Sequence, residues 1–365
     1  MLPEKELVVL LSRTPLNEAE RVRAISLIST SLNWGRFFEF AQIAQVEPVT
    51  MSNLLTMHDG VVPEAIRRDA EARRREVRAI ALSRTLAMNE LVSRFENEEI
   101  PVIVIKGPAL GVTGYGDPTL RSFADIDLLI KREDLVRSRN LLLAAGYLRD
   151  YTPEAEAGLI ENDHALEFSG HPTKVELHAA LLSRYLRVQF HPTEIWKSPH
   201  RVTCAGKQIR VLPPEIQFLF LCAHGAKHEW VQLRWICDLA QLADRMTPAE
   251  WERLGELSSR LHAKRIVAVA GRLVSEVFGR EFVPDADSRR LGSMEGRIDS
   301  ILERIGVREY SKAHQLSWTT RLHPSLPALM FWIASRERFR DKVGCGAGLI
   351  FPRLVRSAVS RAART

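Results

Sequence analysis

Two aspartates one residue apart, Asp125 and Asp127, interrupt an otherwise apolar run, Phe123-Ala124-Asp125-Ile126-Asp127-Leu128-Leu129-Ile130. In an extended chain alternate residues project to one face. The two carboxylates therefore stand side by side while Ile126 turns toward the core. Like charges held that close raise at least one pKa unless a cation lies between them. Carboxylate oxygens suit Mg²⁺, which keeps several waters and takes substrate phosphates as its remaining ligands. A pair of such ions stabilises both the attacking and the leaving oxygen of an in-line phosphoryl displacement. A bare D-x-D is weak by itself, because exposed strands carry alternating acids by chance. Here the apolar flanks indicate a central strand, and a buried unpaired carboxylate is costly, which favours a ligand role.

The elements that must hold these acids follow from the pattern around them. Pro101-Val-Ile-Val-Ile-Lys-Gly107 reads as a short buried strand ending in glycine. A Gly/Pro-rich loop leads to the strand of Asp125. Residues 132–145 form a predicted helix closed by Gly146. Leu166-Glu-Phe-Ser and Lys174-Val-Glu-Leu-His178 read as a hairpin. Strand, loop, strand, helix and hairpin make a small α/β (α+β) unit with a mixed sheet at 96–200, between helical regions at 1–95 and 201–365. In the first region Val77, Ala81, Met88, Val92 and Phe95 form a helical stripe, and the arginines between them alternate with acids as a solvated face does. In the last, helices are predicted from Pro213 to Trp230, from Leu233 to Arg245 and over 248–278, and Leu349–Thr365 has a basic amphipathic pattern.

Bulk properties narrow the class. A chain of 365 residues that is 45% hydrophobic can bury a sizeable core, and its length suggests more than one domain. Four cysteines (Cys204, Cys222, Cys237, Cys345) without C-x-x-C spacing suggest neither a disulfide framework nor a thiolate zinc site. No run approaches a membrane span, and the first residues lack the order of a secretory signal, so a cytoplasmic protein is expected. The net charge of +6 is compatible with nucleic acid, nucleotide phosphates or an anionic surface, and selects none of them.

The order I-P-V-I-V-I-K-G-P-A-L, Y-G-D-P-T-L-R-S-F-A-D-I-D-L-L-I and V-E-L-H-A-A-L resembles the bacterial uncharacterised nucleotidyltransferase family, within the superfamily that has a DNA polymerase β-like fold. The resemblance extends through Leu212-Pro-Pro-Glu-Ile, His224-Gly-Ala-Lys-His228 and Leu233-Arg-Trp-Ile-Cys-Asp238, and fades after residue 245. It implies Mg²⁺-dependent (or Mn²⁺-dependent) transfer of a nucleoside monophosphate from an NTP to an acceptor, with release of pyrophosphate. By resemblance Asp125 and Asp127 hold the metal, Glu176 is the third carboxylate, and Gly107 lets backbone N–H groups approach phosphate. The superfamily favours Gly-Ser or Gly-Gly where this chain has Gly107-Pro108. Proline offers neither a hydroxyl nor an N–H, so Lys106, Arg121 and Ser122 are expected to supply more of the phosphate contact. Arg121 has a second reading, as an ion-pair partner of Asp117. The acceptor is open among a small molecule, a peptide, a protein and RNA. The alternatives are a non-catalytic nucleotide- or RNA-binding relative and a metal-dependent phosphohydrolase.

His224 and His228 are four apart on one helical face, a spacing that zinc pairs use, with His178 as a conceivable third ligand. Gly225 stands where an H-E-x-x-H glutamate is required, which argues against a metalloprotease. Packing histidines are the ordinary reading. The family resemblance puts His224, Lys227, His228 and Asp238 near the cleft as a substrate pocket. His178 shares the strand face of Glu176 and is expected beside the metal site.

Overall fold

The computed structural model describes residues 2–161, 165–197 and 200–279, with isolated positions between 294 and 342. Cys345 and the basic tail lie outside the described residues. Five helices open the chain: α1 (Pro3–Leu11), α2 (Glu18–Ile28), α3 (Trp34–Ile43), α4 (Glu47–Leu55) and the long α5 (Glu64–Asn97). Most of the helical stripe read from the sequence is the buried face of α5: Ala81, Met88, Val92 and Phe95 are in the core, while Val77 is half-buried. Its first half carries the arginines on a solvated side, where Arg73 reaches Glu47 of α4 at 3.1 Å and Arg68 pairs with Glu64 at 3.6 Å.

Five strands then form one mixed sheet: β1 (Val102–Val104), β2 (Asp125–Ile130), β3 (Leu148–Arg149), β4 (Leu166–Ser169) and β5 (Lys174–His178). Their order is β1-β2-β5-β4-β3. Only β2 and β5 run parallel; the other neighbours are antiparallel. The chain between β2 and β5 carries α7 (Leu135–Ala144), β3, α8 (Pro153–Glu161) and β4. Before it, α6 (Pro108–Leu110) follows β1. Ile126, Leu128 and Ile130 of β2 are fully buried with Val175 and Leu177 of β5 and Phe168 of β4, which is the apolar side of the sheet.

The region expected to be helical from residue 201 opens instead with strands. Beyond the short α9 (Pro192–Trp196), β6 (His200–Cys204) and β7 (Lys207–Val211) form a hairpin. Its turn is Ala205-Gly206, both at positive φ (46° and 82°), the backbone that two-residue hairpin turns require. Four helices follow: α10 (Pro214–Lys227), α11 (Leu233–Ala243), α12 (Pro248–Arg260) and α13 (Lys264–Phe278). Helix α10 stops three residues before Trp230, because Glu229 and Trp230 adopt positive φ and fold the buried indole back onto Gly225. A methyl group on Gly225 would lie 2.1 Å from the indole Nε1, so only glycine fits. The apolar cluster of α10–α13 takes in Ile103 and Leu129 of the sheet, and that of α1–α4 takes in Tyr115, Leu233 and Cys237. Among the described residues no helix is long and apolar enough to cross a membrane.

Candidate active site

The parallel pairing of β2 with β5 sets the acids against one another. Its register puts Asp127 opposite Glu176 and Leu129 opposite His178. Alternate residues on each strand share a face, so Asp125, Asp127, Glu176 and His178 emerge together from the side opposite the apolar core. Hydrogen bonds brace β2 from both of its neighbouring segments. Thr173 Oγ1 donates to Ala124 O at 2.6 Å just before the two strands begin. The Ile105 N–H donates to Asp127 O at 3.2 Å, and Gln217 of α10 donates to Ile105 O at 2.9 Å.

Asp127 is almost fully buried, and two groups address its Oδ1: Lys106 Nζ at 2.7 Å and His178 Nε2 at 3.2 Å. His178 Nε2 is also 3.3 Å from Glu176 Oε2. One donor atom from each of Asp127, Glu176 and His178 lies within 4.8 Å of the other two, a set able to hold a metal ion. Among the described residues His224 and His228 join no such set. The distances bring Asp127, Glu176, His178 and Lys106 into one cluster. Asp125 is next along the same face and feels the charges of Asp127 and Glu176.

The loop that delivers Asp125 is clamped through three successive carbonyls. Arg234 of α11 donates to Ser122 O at 2.7 Å, Arg84 of α5 donates to Phe123 O, and Thr173 takes Ala124 O. Arg84 and Arg234 thus border Asp125 from both helical regions. Neither was singled out from the sequence; both sit in arginine-containing helical stretches whose cleft-facing members periodicity alone does not identify. Gly107 turns the chain just after Lys106. It turns at φ 56°, a conformation that L side chains rarely adopt, and its carbonyl starts the helical stretch after Pro108 by accepting from the Gly111 N–H at 3.1 Å.

Arg121 and Asp238 are placed together and away from solvent. Arg121 Nε and Nη2 fork onto the two Asp238 oxygens at 2.9 and 2.8 Å, and Tyr115 donates its hydroxyl to the same carboxylate at 2.9 Å. Asp117 accepts instead from the Thr119 N–H and hydroxyl, each at 2.7 Å. The guanidinium of Arg121 is therefore committed to fastening the loop onto α11. Ser122 contributes its carbonyl to the Arg234 clamp.

Electrostatics divide the acids. Burial, then the charges of Asp127 and Glu176, push the Asp125 carboxyl up to about 6. Burial acts in the same sense on Asp127, but Lys106 and His178 outweigh it and hold that carboxyl well below the usual range. The same acids overcome burial to raise Lys106 and His178 above their ordinary values. Glu167, which pairs with Glu176 across β4 and β5, is raised by burial and by Glu176. It is a fourth carboxylate on this face, foreshadowed only by its place two residues before Ser169 in the predicted hairpin.

The facing wall is cationic and aromatic. His224 and Lys227 close α10, and the rings of His224, His228 and Trp235 pack mutually with centroids 4.9 to 5.7 Å apart. Burial, then the Lys106 charge, lower Lys227, while Glu176 and Glu167 act to raise it. Burial pushes both histidines well below the ordinary imidazole value. Arg234 is pulled down to about 10 by burial and then by Arg121, and its buried Nε has no hydrogen-bond partner. Acids on one side with desolvated cations opposite suit a polyanion carried with a divalent cation.

The fold is thus mixed α/β, with the acid cluster on one face of its sheet. Residues 30–279, more than half of the chain, match the family described as "Uncharacterised nucleotidyltransferase", and the protein belongs to that family. The solution structure of the antibiotic-resistance factor ANT(2'')-Ia is similar at 13% identity over 49% of this chain and 94% of that one, with a TM-score of 0.39. No curated protein matches the sequence.

Proposed function

We propose that the protein transfers a nucleoside monophosphate from an NTP to an acceptor hydroxyl or phosphate, with Mg²⁺ or Mn²⁺ as cofactor. The observation that carries the reading is the clustering of Asp127, Glu176 and His178 donor atoms within 4.8 Å, beside Asp125 and opposite desolvated cations. The donor chemistry fits a divalent cation. Several carboxylates converge, and Asp125 carries the repulsion that such an ion relieves. Asp125, Asp127 and Glu176 would hold it. Bound there, the ion supplies charge neutralisation at the phosphoryl oxygens.

The chain's own groups account for the rest. Lys106 swings on its flexible stem from Asp127 toward the phosphates. Lys227 and Arg234 receive them from the opposite wall, and the positive-φ turn at Gly107 lets backbone come close. Ser122 contributes through the clamped loop, and Arg121 through Asp238, so both act on the position of Asp125. His224, His228 and Trp235 present ring surface on the same wall. The acceptor oxygen bonds to the α-phosphorus as the bond to the β-phosphate oxygen breaks. Pyrophosphate leaves, and the acceptor proton passes to Glu176. Most of the rate then comes from positioning and charge neutralisation.

The test is incubation of purified protein with each labelled NTP, Mg²⁺ or Mn²⁺ and cell extract. Label transferred to an acceptor with matching pyrophosphate, and lost in Asp127→Asn, is the expected result. Release of inorganic phosphate alone would mean a phosphohydrolase, and nucleotide binding without turnover a non-catalytic relative. Lys227→Met is expected to raise KM for the NTP about tenfold or more, the loss of a charged hydrogen bond. An unchanged KM would remove Lys227 from the phosphate site.

A further inference from the structure

Asp127 Oδ1 and Glu176 Oε2 share a neighbour outside the triad of acids. His178 Nε2 stands 3.2 Å from the first and 3.3 Å from the second. A charge-assisted N–H···O⁻ bond closes to about 2.7–2.9 Å with one acceptor. Here a single ring nitrogen is nearly equidistant from two carboxylates, at the long end of hydrogen-bond range from each. Two atoms bound to one ion at about 2.1–2.2 Å, with an angle of about 90–110° between them, are separated by about 3.0–3.6 Å. Both separations fall in that interval. The ring is held there by strand geometry: His178 follows Glu176 by two residues on β5, opposite Leu129, and its side chain is 13% exposed.

Resting on the reading that this acid cluster takes a divalent cation, we propose that His178 Nε2 is a direct ligand of that cation together with Asp127 and Glu176. The consequence is a preference for Mn²⁺ over Mg²⁺. Mg²⁺ demands oxygen donors in near-ideal octahedral order, whereas an imidazole nitrogen suits ions later in the first transition row and raises their affinity selectively. With Nε2 bound, the ring proton resides on Nδ1. Lys106 is no obstacle. Its ammonium, 2.7 Å from the same Asp127 oxygen, sits on a four-carbon stem that can carry it to a phosphate.

The test uses the full-length protein, stripped with a chelator and titrated with Mn²⁺ alone, without nucleotide. Pulsed electron paramagnetic resonance of the bound Mn²⁺ is expected to show coupling to a directly bonded imidazole nitrogen. The coupling should change its nuclear signature when the protein is labelled with [¹⁵N]histidine, and vanish in His178→Gln. By calorimetry, His178→Gln is expected to weaken Mn²⁺ about tenfold or more, a typical loss for a perturbed ligand set, and Mg²⁺ less than threefold (under about 0.7 kcal/mol). Bound Mn²⁺ that depends on Asp127 but has no nitrogen coupling overturns the histidine ligand and leaves the cation site standing. Equal weakening of both ions overturns it too. Absence of Mn²⁺ and Mg²⁺ binding overturns the cation site itself. The isotope experiment on unmutated protein keeps the outcome decisive if His178→Gln does not fold.

Discussion

Asp125 and Asp127, two residues apart, make opposite demands on stability. The Asp125 carboxyl is pushed up to about 6 in the fold, against about 4 in an unfolded chain. Between those values the folded form holds a proton that the unfolded form releases, so in chelator-treated protein this group makes stability fall as pH rises from about 4 to about 6. Asp125→Asn removes that slope. Urea unfolding at pH 8 should find the variant more stable than wild type by about 1–3 kcal/mol, with the gap closing near pH 4. Asp127 is the reverse case. Its depressed carboxyl stabilises the fold at neutral pH, and its amide would leave Lys106 and His178 without their shared partner. Asp127→Asn is expected to cost about 3–5 kcal/mol, as loss of one member of a buried pair does. Both variants should lose transfer activity, so the opposite signs in stability separate the roles. The D-x-D pattern and its shared strand face were legible from periodicity. The opposition was not, because it depends on Lys106 and His178 reaching one oxygen and not its neighbour.

At the scale of elements, the strands, helix and hairpin around the acids could be read from apolar patterning, helped by the punctuation of Pro101, Gly107, Gly146 and Gly170. Gly146 closes α7 at φ 88°, as its position predicted. The hairpin β6–β7 was missed because its residues, among them Arg201, Lys207 and Arg210, mask the alternation of Val202, Cys204, Ile209 and Val211. The Ala205-Gly206 turn was the available signal. The early stop of α10 was illegible for another reason. It follows from a contact at a distance, the Trp230 ring lying where a side chain at 225 would be. Gly225→Ala therefore forces the indole or the helix to move. A loss of about 1–3 kcal/mol is expected, read as a lowered melting temperature, together with weaker nucleotide binding through displaced Lys227.

Across the whole molecule, the candidate site draws residues from both helical regions and the sheet. The Arg121–Asp238 pair, 117 residues apart and buried at both ends, is the tie that joins the acid-bearing loop to α11. Arg121→Met or Asp238→Leu alone should cost about 3–5 kcal/mol by stranding the other charge. The double replacement should recover much of that loss, which a double-mutant cycle in denaturant would measure. If the pair only stabilised, the double variant would keep its activity. If it positions Asp125, transfer falls in the double variant even where stability returns. The sequence suggested the residues of this tie but assigned Arg121 to phosphate, since residue type alone does not reveal whether a guanidinium already has a carboxylate.

The parallel seam between β2 and β5 has a further consequence for how the protein comes into being. Asp127 meets Glu176 only after α7, β3, α8 and β4 have been threaded between them. Contacts of such separation form late, because the intervening loop must be closed first. A nascent chain that has emerged only as far as its first two strands carries a pair of acids with no third partner. Under the proposed function, competence for chemistry would then be withheld until the crossover is complete.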